Sequence, residues 1–257
     1  MISVKGKLVL ITGATSGIGR ACAEIYAQNG ANIIITGRRD DRLAKIQNEL
    51  ENKYNIIAAP YCFDVRDREA VEAFGQELKN KHLTPYIFIN NAGLAKGMSA
   101  IQDGEIDDWE DMIDTNVKGF LYMAKAVLPL MIEKNEGTVI NIGSIAGSQV
   151  YPGGNVYNAS KHAVRALNQA MNMDMLKTNI RISTIEPGAV ETEFSLVRFN
   201  GDKDKADNVY KGFQPLSASD IADIIYFMTT LPEHINIHNL LVTPTAQRSA
   251  TMFNKNL

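Results

Sequence analysis

Tyr157 and Lys161 stand four residues apart in Val156-Tyr157-Asn158-Ala159-Ser160-Lys161. The stretch has helical periodicity, so both side chains share one face. A tyrosine with a pKa of about 10 is a poor base at neutral pH, but an ammonium beside it favours the phenolate and makes the hydroxyl a usable proton donor and acceptor. Such a pair suits proton transfer at an oxygen whose carbon gains or loses a hydride. Ser144 ends the run Ile140-Asn141-Ile142-Gly143-Ser144, where its hydroxyl is placed to hydrogen-bond the substrate oxygen in both oxidation states. It positions rather than attacks: Gly143-Ser144-Ile145-Ala146-Gly147 lacks the G-x-S-x-G order of a hydrolase elbow, and none of the four histidines has an obvious pairing. A Y-x-x-x-K spacing also occurs on ordinary surface helices, so the rest of the chain must decide.

A hydride donor needs its own site. Thr12-Gly13-Ala14-Thr15-Ser16-Gly17-Ile18-Gly19 follows an apolar run and opens a helical one, where backbone N–H groups and the helix dipole suit a pyrophosphate. The glycine spacing departs from G-x-G-x-x-G, and alone it is equally a structural turn. The next apolar run ends Ile35-Thr36-Gly37-Arg38-Arg39, where a dinucleotide fold places its ribose-reading residue. An acid there accepts from a 2′-hydroxyl and repels a 2′-phosphate, whereas guanidinium groups are forked, permanent donors that suit the phosphate. Arg38 and Arg39 therefore point to NADP(H). Asp64-Val65 and Asn90-Asn91-Ala92-Gly93 close the next two apolar runs, with Asp64 a candidate acceptor for an adenine amino group.

The elements that would position these groups alternate. The pattern predicts strands near 7–12, 32–36, 56–63, 86–90, 138–142, 181–186 and 239–243, and helices near 18–29, 40–53, 67–80, 107–134, 155–177 and 219–230. Asp67, Gly30 and Pro232 are boundary residues. Unbroken runs such as Ile33-Ile34-Ile35 suit a parallel sheet covered on both faces. The expected fold is α/β, a single doubly wound Rossmann-type domain over 1–257, with a seven-stranded parallel sheet and helices on both faces. Residues 194–214 are polar and irregular around Asn200-Gly201-Asp202, and read as a mobile lid.

A chain of 257 residues is a tight fit for two independent domains. With 26 basic and 29 acidic side chains and no long run of either sign, charge nominates neither a nucleic acid nor a membrane surface as partner. Cys22 and Cys62 lack the spacing of a disulfide framework or zinc site and read as reduced, buried and inert. The N-terminal apolar run is too short for a secretory signal or membrane span, so a cytoplasmic location is expected. His234-x-x-x-His238 has helical metal spacing, but Pro232 and the surrounding asparagines argue against a helix, and no metal is expected.

In order along the chain, these motifs make the sequence resemble the short-chain dehydrogenase/reductase superfamily. The resemblance rests on Gly13, Gly17 and Gly19, on Asn-Asn-Ala-Gly at 90–93, and on Ser144, Tyr157 and Lys161, and it runs from residue 7 to about 245. It implies that Tyr157 is the general acid/base, that Lys161 also binds the nicotinamide ribose, and that Asn116 is a fourth catalytic residue holding a water in a proton relay. By the same likeness, Pro187-Gly188-Ala189-Val190-Glu191-Thr192 binds the carboxamide end of nicotinamide. NADP-using members often carry a basic residue at the position of Ser16, so Arg38 and Arg39 bear that inference here.

Longer stretches, among them 109–116, 152–157 and 193–199, resemble the NADP-dependent 3-hydroxy acid dehydrogenases that act on serine and L-allo-threonine. A small anionic substrate is implied, with Arg198 as candidate anchor and Gln149 and Asn155 as polar wall. Reductases of sulfoacetaldehyde or of neutral short carbonyls share much of this pattern, and a non-catalytic NADP-sensing protein is the reading from another class. Apolar residues on the two long helices, Phe120, Met123, Val127, Leu167, Met171 and Met175, exceed what one buried face needs. The resemblance implies a homotetramer formed through such helices, with the tail 243–257 reaching a neighbouring subunit.

Overall fold

The computed structural model describes residues 2–255; Met1, Asn256 and Leu257, at the ends of the expected domain and tail, lie outside the described residues. Seven parallel strands form the main sheet: β1 (Leu8–Ile11), β2 (Asn32–Gly37), β3 (Ala58–Cys62), β4 (Ile87–Asn90), β5 (Gly137–Ile142), β6 (Ile180–Pro187) and β9 (Asn239–Val242). Their order is β3-β2-β1-β4-β5-β6-β9. The chain winds outward from β1 in one direction, then returns to wind in the other from β4, which opens a crevice at the carboxyl ends of β1 and β4.

The strands read as unbroken apolar runs because alternate residues serve opposite faces. Val9, Ile11, Ile33, Ile35, Ile87 and Ile89 pack on one side with α1 (Gly17–Gln28), α2 (Asp40–Tyr54) and α9 (Ala218–Thr230). Leu10, Ile34 and Phe88 pack on the other with α3 (Arg68–Asn80), α5 (Phe120–Lys134) and α6 (Asn155–Asp174). Register aligns Ile11 with Ile35 and with Ile89, so each layer is continuous across strands. Asp67 caps α3 by accepting from the Ala70 N–H, Gly30 turns at φ +77°, and Pro232 follows the end of α9.

Several expectations change. The helix expected over 107–134 is α4 (Ile106–Ile113), a π-helical turn (Asp114–Gly119) and α5. The segment 194–214 is not irregular: it contains α7 (Glu193–Arg198) and α8 (Lys203–Tyr210), joined through Asn200 and Gly201 with positive φ. A two-residue parallel ladder of β7 (Val190–Glu191) and β8 (Leu216–Ser217) pins its base. Finally, Phe120, Met123, Val127 and Met171 are not surplus; they are buried against the sheet, with Leu167 and Met175 packed beside them. The exposed apolar side chains in this region are instead Leu121, Ile132, Met173 and Leu176.

Among the described residues, no helix is long and apolar enough to cross a membrane. Cys22 is buried in α1 as expected, but Cys62, at the end of edge strand β3, is exposed. The tail beyond β9 folds back over its own chain: Gln247 Oε1 accepts from the Ala189 N–H, and Phe253 packs against Phe213 with ring centres 5.0 Å apart.

Candidate active site

A cleft of about 610 Å³ runs across the carboxyl edge of the sheet. Ser144, Tyr157 and Lys161 line it together with the glycine-rich turn, Arg38, Arg39, Asp64, Val65, Asn91, Ala92 and Gly93, and, from the far wall, Pro187, Gly188, Val190 and Thr192. Motifs as far apart in sequence as Gly13 and Thr192 thus converge where strand ends bring them. Gly19 is the exception among the expected cofactor residues. It packs beneath the turn, where a Cβ would stand 2.6 Å from both the Gly13 carbonyl oxygen and Asn91 Nδ2.

Tyr157 and Lys161 are buried on the first turns of α6. Burial pushes the Tyr157 hydroxyl above its ordinary value, with Tyr151 adding to the rise, while a hydrogen bond with Ser144 and the charge of Arg198 work against it. The Lys161 Nζ donates to the Ile142 carbonyl at 2.9 Å and lies 5.9 Å from the centre of the Tyr157 ring. Burial lowers Lys161 to about 8. The amine is therefore far easier to deprotonate than a surface lysine, and the charge that opposes the rise at Tyr157 is that of Arg198.

Asn116 sits in the π-helical turn and faces the loop after β4. Its Oδ1 accepts from the Leu94 N–H and its Nδ2 donates to the Leu94 carbonyl and to Ser160 Oγ, at 2.8, 2.8 and 3.0 Å. The side chain is thus committed to holding the loop after β4 against α6. Asn91 does similar work, donating to the carbonyls of Thr12 and Gly13, while Thr12 Oγ1 accepts from the N–H groups of Asn91 and Ala92.

The glycine-rich turn fits a dinucleotide. Gly13 and Gly17 have φ of +64° and +53°, and a Cβ on Gly13 would meet Ala92 Cα at 3.0 Å. At the start of α1, Ser16 gives no side-chain cap and the first turn has no acid, which leaves N–H groups and dipole for a phosphate. Ser16 Oγ accepts from Arg39 instead, and Arg39 also donates twice to Thr15 Oγ1. Arg38 is half exposed, 3.5 Å from Asp64. Asp64 accepts from the Arg66 backbone and guanidinium; partial burial pushes its carboxyl up, but these bonds outweigh it and hold it low.

Arg198, the last residue of α7, reaches the reacting end. Its Nη1 donates to the Tyr151 hydroxyl at 2.9 Å, its Nε to the Gly97 carbonyl at 3.2 Å, and the Gly97 N–H returns a bond to the Arg198 carbonyl at 3.0 Å. Its guanidinium carbon lies 5.7 Å from the Tyr157 ring centre, and its Nη2 is buried with no partner among the described residues. An unpaired buried donor on a cation is costly and invites an anionic ligand. The other two residues expected on this wall lie elsewhere. Gln149 Oε1 accepts from the Ala250 N–H and ties down the tail, and Asn155 Nδ2 donates to the Ser99 carbonyl on a separate shallow cleft.

This site matches a known pattern in sequence as well as in geometry: residues 7–201 fit the profile described as short chain dehydrogenase. The chain belongs to the short-chain dehydrogenase family. Among curated relatives of this dehydrogenase, sulfoacetaldehyde reductase 2 of Chromohalobacter salexigens is 43% identical over 241 residues, 93% of this chain and 95% of that protein. The NADP-dependent 3-hydroxy acid dehydrogenase of Schizosaccharomyces pombe is 43% identical over 251 residues, 97% of each chain. Among solved structures, the closed form of a serine dehydrogenase complexed with NADP+ superimposes with a TM-score of 0.89 at 43% identity, covering 96% of this chain and 98% of the other.

Sequence reasoning missed several residues of the dehydrogenase's cleft. Tyr151 sits six positions before Tyr157, ahead of the Pro152-Gly153-Gly154 turn, and carried no periodic signal. Phe194 packs on the Tyr157 ring at 5.6 Å, and Tyr210 donates to the Val190 carbonyl and bonds Ser195, holding α8 to α7. Glu193, in the quoted stretch 193–199, pairs with Arg39 and Arg42 at 3.0 and 2.8 Å.

Proposed function

We propose that this dehydrogenase moves a hydride between NADP(H) and the 3-hydroxyl or carbonyl carbon of a short 3-hydroxy acid of the serine, L-allo-threonine or 3-hydroxypropionate type. The observation that carries the substrate class is the unpartnered, buried Nη2 of Arg198 beside Tyr157. A guanidinium held by Tyr151 and Gly97 is preorganised for a carboxylate on the substrate, and this anchors the reacting carbon one short chain away from the phenol. The relatives named above support the same reading, and Arg38 and Arg39 at the ribose end support NADP(H) over NAD(H).

The bound nicotinamide supplies or accepts the hydride. In the reduction direction Tyr157, kept protonated by burial, gives its proton to the carbonyl oxygen while the Ser144 hydroxyl holds that oxygen in line. In oxidation Tyr157 must take the proton as phenolate, and its Ser144 hydrogen bond and the Arg198 charge both favour that state. Lys161, at about 8, exchanges its proton near neutral pH and serves as the next donor or acceptor behind Tyr157. Asn116 fixes the loop that this exchange passes.

A sulfonate carries the same single charge and suits the same guanidinium, and the sulfoacetaldehyde reductase relative favours it as the second reading. The remaining parts of the proposal are a cytoplasmic enzyme, a homotetramer that covers exposed Met173 and Leu176, and a mobile lid built from α7 and α8. The test is kcat/KM for serine, L-allo-threonine, 3-hydroxypropionate, 3-hydroxyisobutyrate and sulfoacetaldehyde with NADP(H), with Tyr157→Phe as control. A 3-hydroxy acid should rank first and Tyr157→Phe should lose at least a hundredfold in kcat. Equal rates in wild type and Tyr157→Phe would end the mechanism, and sulfoacetaldehyde in first place would replace the substrate.

A further inference from the structure

Arg39 is engaged by its own chain through four of its five N–H donors. One edge of its guanidinium holds Thr15 and Ser16 in the glycine-rich turn, and its Nη1 donates to Glu193 Oε2 at 3.0 Å. Glu193 is not a neighbour in sequence; it is the first residue of α7, brought from 154 positions away by the lid. Its two oxygens also accept from Arg42 Nη1 at 2.8 and 3.0 Å. Partial burial pushes its carboxyl up, but the hydrogen bonds from Arg42 and Arg39 outweigh that and keep it an anion.

We infer that Glu193 competes with a cofactor's 2′-phosphate for the Nη1 edge of Arg39, so that it sets the enzyme's preference between phosphorylated and unphosphorylated dinucleotides. This rests on the reading of Arg39 as the 2′-phosphate residue. Two anions cannot share the Nη1 edge of Arg39 without strong repulsion, and a phosphate is the stronger acceptor. When the phosphate takes that edge, Glu193 keeps Arg42, which holds both of its oxygens, and α7 stays attached in a shifted position. A dinucleotide with a bare 2′-hydroxyl leaves the Arg39–Glu193 pair in place. Glu193 therefore weakens phosphate binding by the free energy of the contact it loses, and leaves the unphosphorylated ligand alone. The same helix ends in Arg198, so the residue that senses the phosphate and the residue proposed to hold the substrate share one short rigid element.

The probes are adenosine 2′,5′-bisphosphate and adenosine 5′-monophosphate, which bind the adenosine end without the nicotinamide, measured by titration calorimetry on the full chain. A half-exposed ion pair contributes up to about 1 kcal/mol, so Glu193→Gln should tighten the bisphosphate by about fivefold and leave the monophosphate unchanged. Glu193→Ala should do the same, because the effect belongs to the charge. Arg39→Ala should weaken the bisphosphate by about tenfold or more. If Glu193→Gln leaves bisphosphate affinity unchanged, weakens it, or tightens both ligands equally while Arg39→Ala still weakens the bisphosphate, the inference about Glu193 is overturned and the assignment of Arg39 stands. If Arg39→Ala has no effect on the bisphosphate, the assignment itself fails.

Discussion

Lys161→Met keeps the length and apolar stem of the side chain and removes the buried amine, and its effect on stability has a calculable pH dependence. Burial lowers Lys161 from the ordinary 10.5 to about 8 in the folded chain. Between those values the unfolded state binds more protons than the folded one, so stability rises with pH through that window. At pH 7 both states carry the ammonium and the folded chain bears a penalty of about 3 kcal/mol; by pH 9.5 the folded lysine is neutral and the penalty has shrunk to about 1 kcal/mol. The wild type should therefore gain about 2 kcal/mol on the variant between pH 7 and pH 9.5. Loss of the hydrogen bond to the Ile142 carbonyl costs the variant the same amount at both pH values and drops out of the difference. Urea unfolding of both proteins at the two pH values measures it. Parallel stability profiles would refute the assignment of a depressed pKa to Lys161 and, with it, its place as the proton donor behind Tyr157.

Asn116→Ala leaves the Leu94 N–H and carbonyl without their partner in a buried site, and should destabilise the fold by about 3 kcal/mol in urea unfolding, a loss that Asn116→Asp only partly restores. Gly97→Ala places a Cβ 3.2 Å from Asp108 Oδ2 at a φ of +66°, which strains the loop gripping Arg198. The KM for the acid substrate should rise about threefold to tenfold while the KM for NADP(H) stays constant, as initial rates under varied substrate and varied cofactor would reveal. A thiol reagent should label Cys62 rapidly in the native protein and Cys22 only after denaturation, because Cys22 is sealed in α1 and burial raises its pKa; mass spectrometry of the labelled peptides reads this out.

The sheet was legible because its strands are covered on both faces. Leu8 to Ile11 and Ile87 to Ile89 need apolar side chains at every position, and such runs stand out from the helical periodicity around them. Ser144 and the cofactor motifs were legible because each closes one of those runs, and Tyr157 and Lys161 because their spacing puts both on one helical face. The π-helical turn at 114–119 left no mark, since one turn of i→i+5 bonding is too short to break the apolar pattern of the helices on either side. Helices α7 and α8 were read as irregular because, at six and eight residues, they are too short to show a period. Gln149 and Asn155 were misplaced for a different reason. They flank the Tyr151-to-Gly154 turn, whose path decides which side chains face the cleft, and it presents Tyr151 to Arg198 while sending Asn155 to Ser99. Periodicity says nothing about such a turn. The surplus of apolar residues on α5 and α6 was an error of counting: both helices bury a broad face on the sheet, so Met123 and Val127 are core.

The substrate's charge is the claim on which the proposed function turns, and it can be tested without knowing the natural substrate. The measurement is kcat/KM for 3-hydroxypropionate against 3-hydroxypropionamide, which share the reacting carbon and differ only in the charge that Arg198 would meet, in wild type and in Arg198→Gln. The wild type should prefer the acid by about a hundredfold, as expected for a charge-assisted contact of roughly 3 kcal/mol, and Arg198→Gln should bring the ratio close to unity through KM. A wild-type ratio near unity, or an equal preference for the acid in Arg198→Gln, would contradict the account.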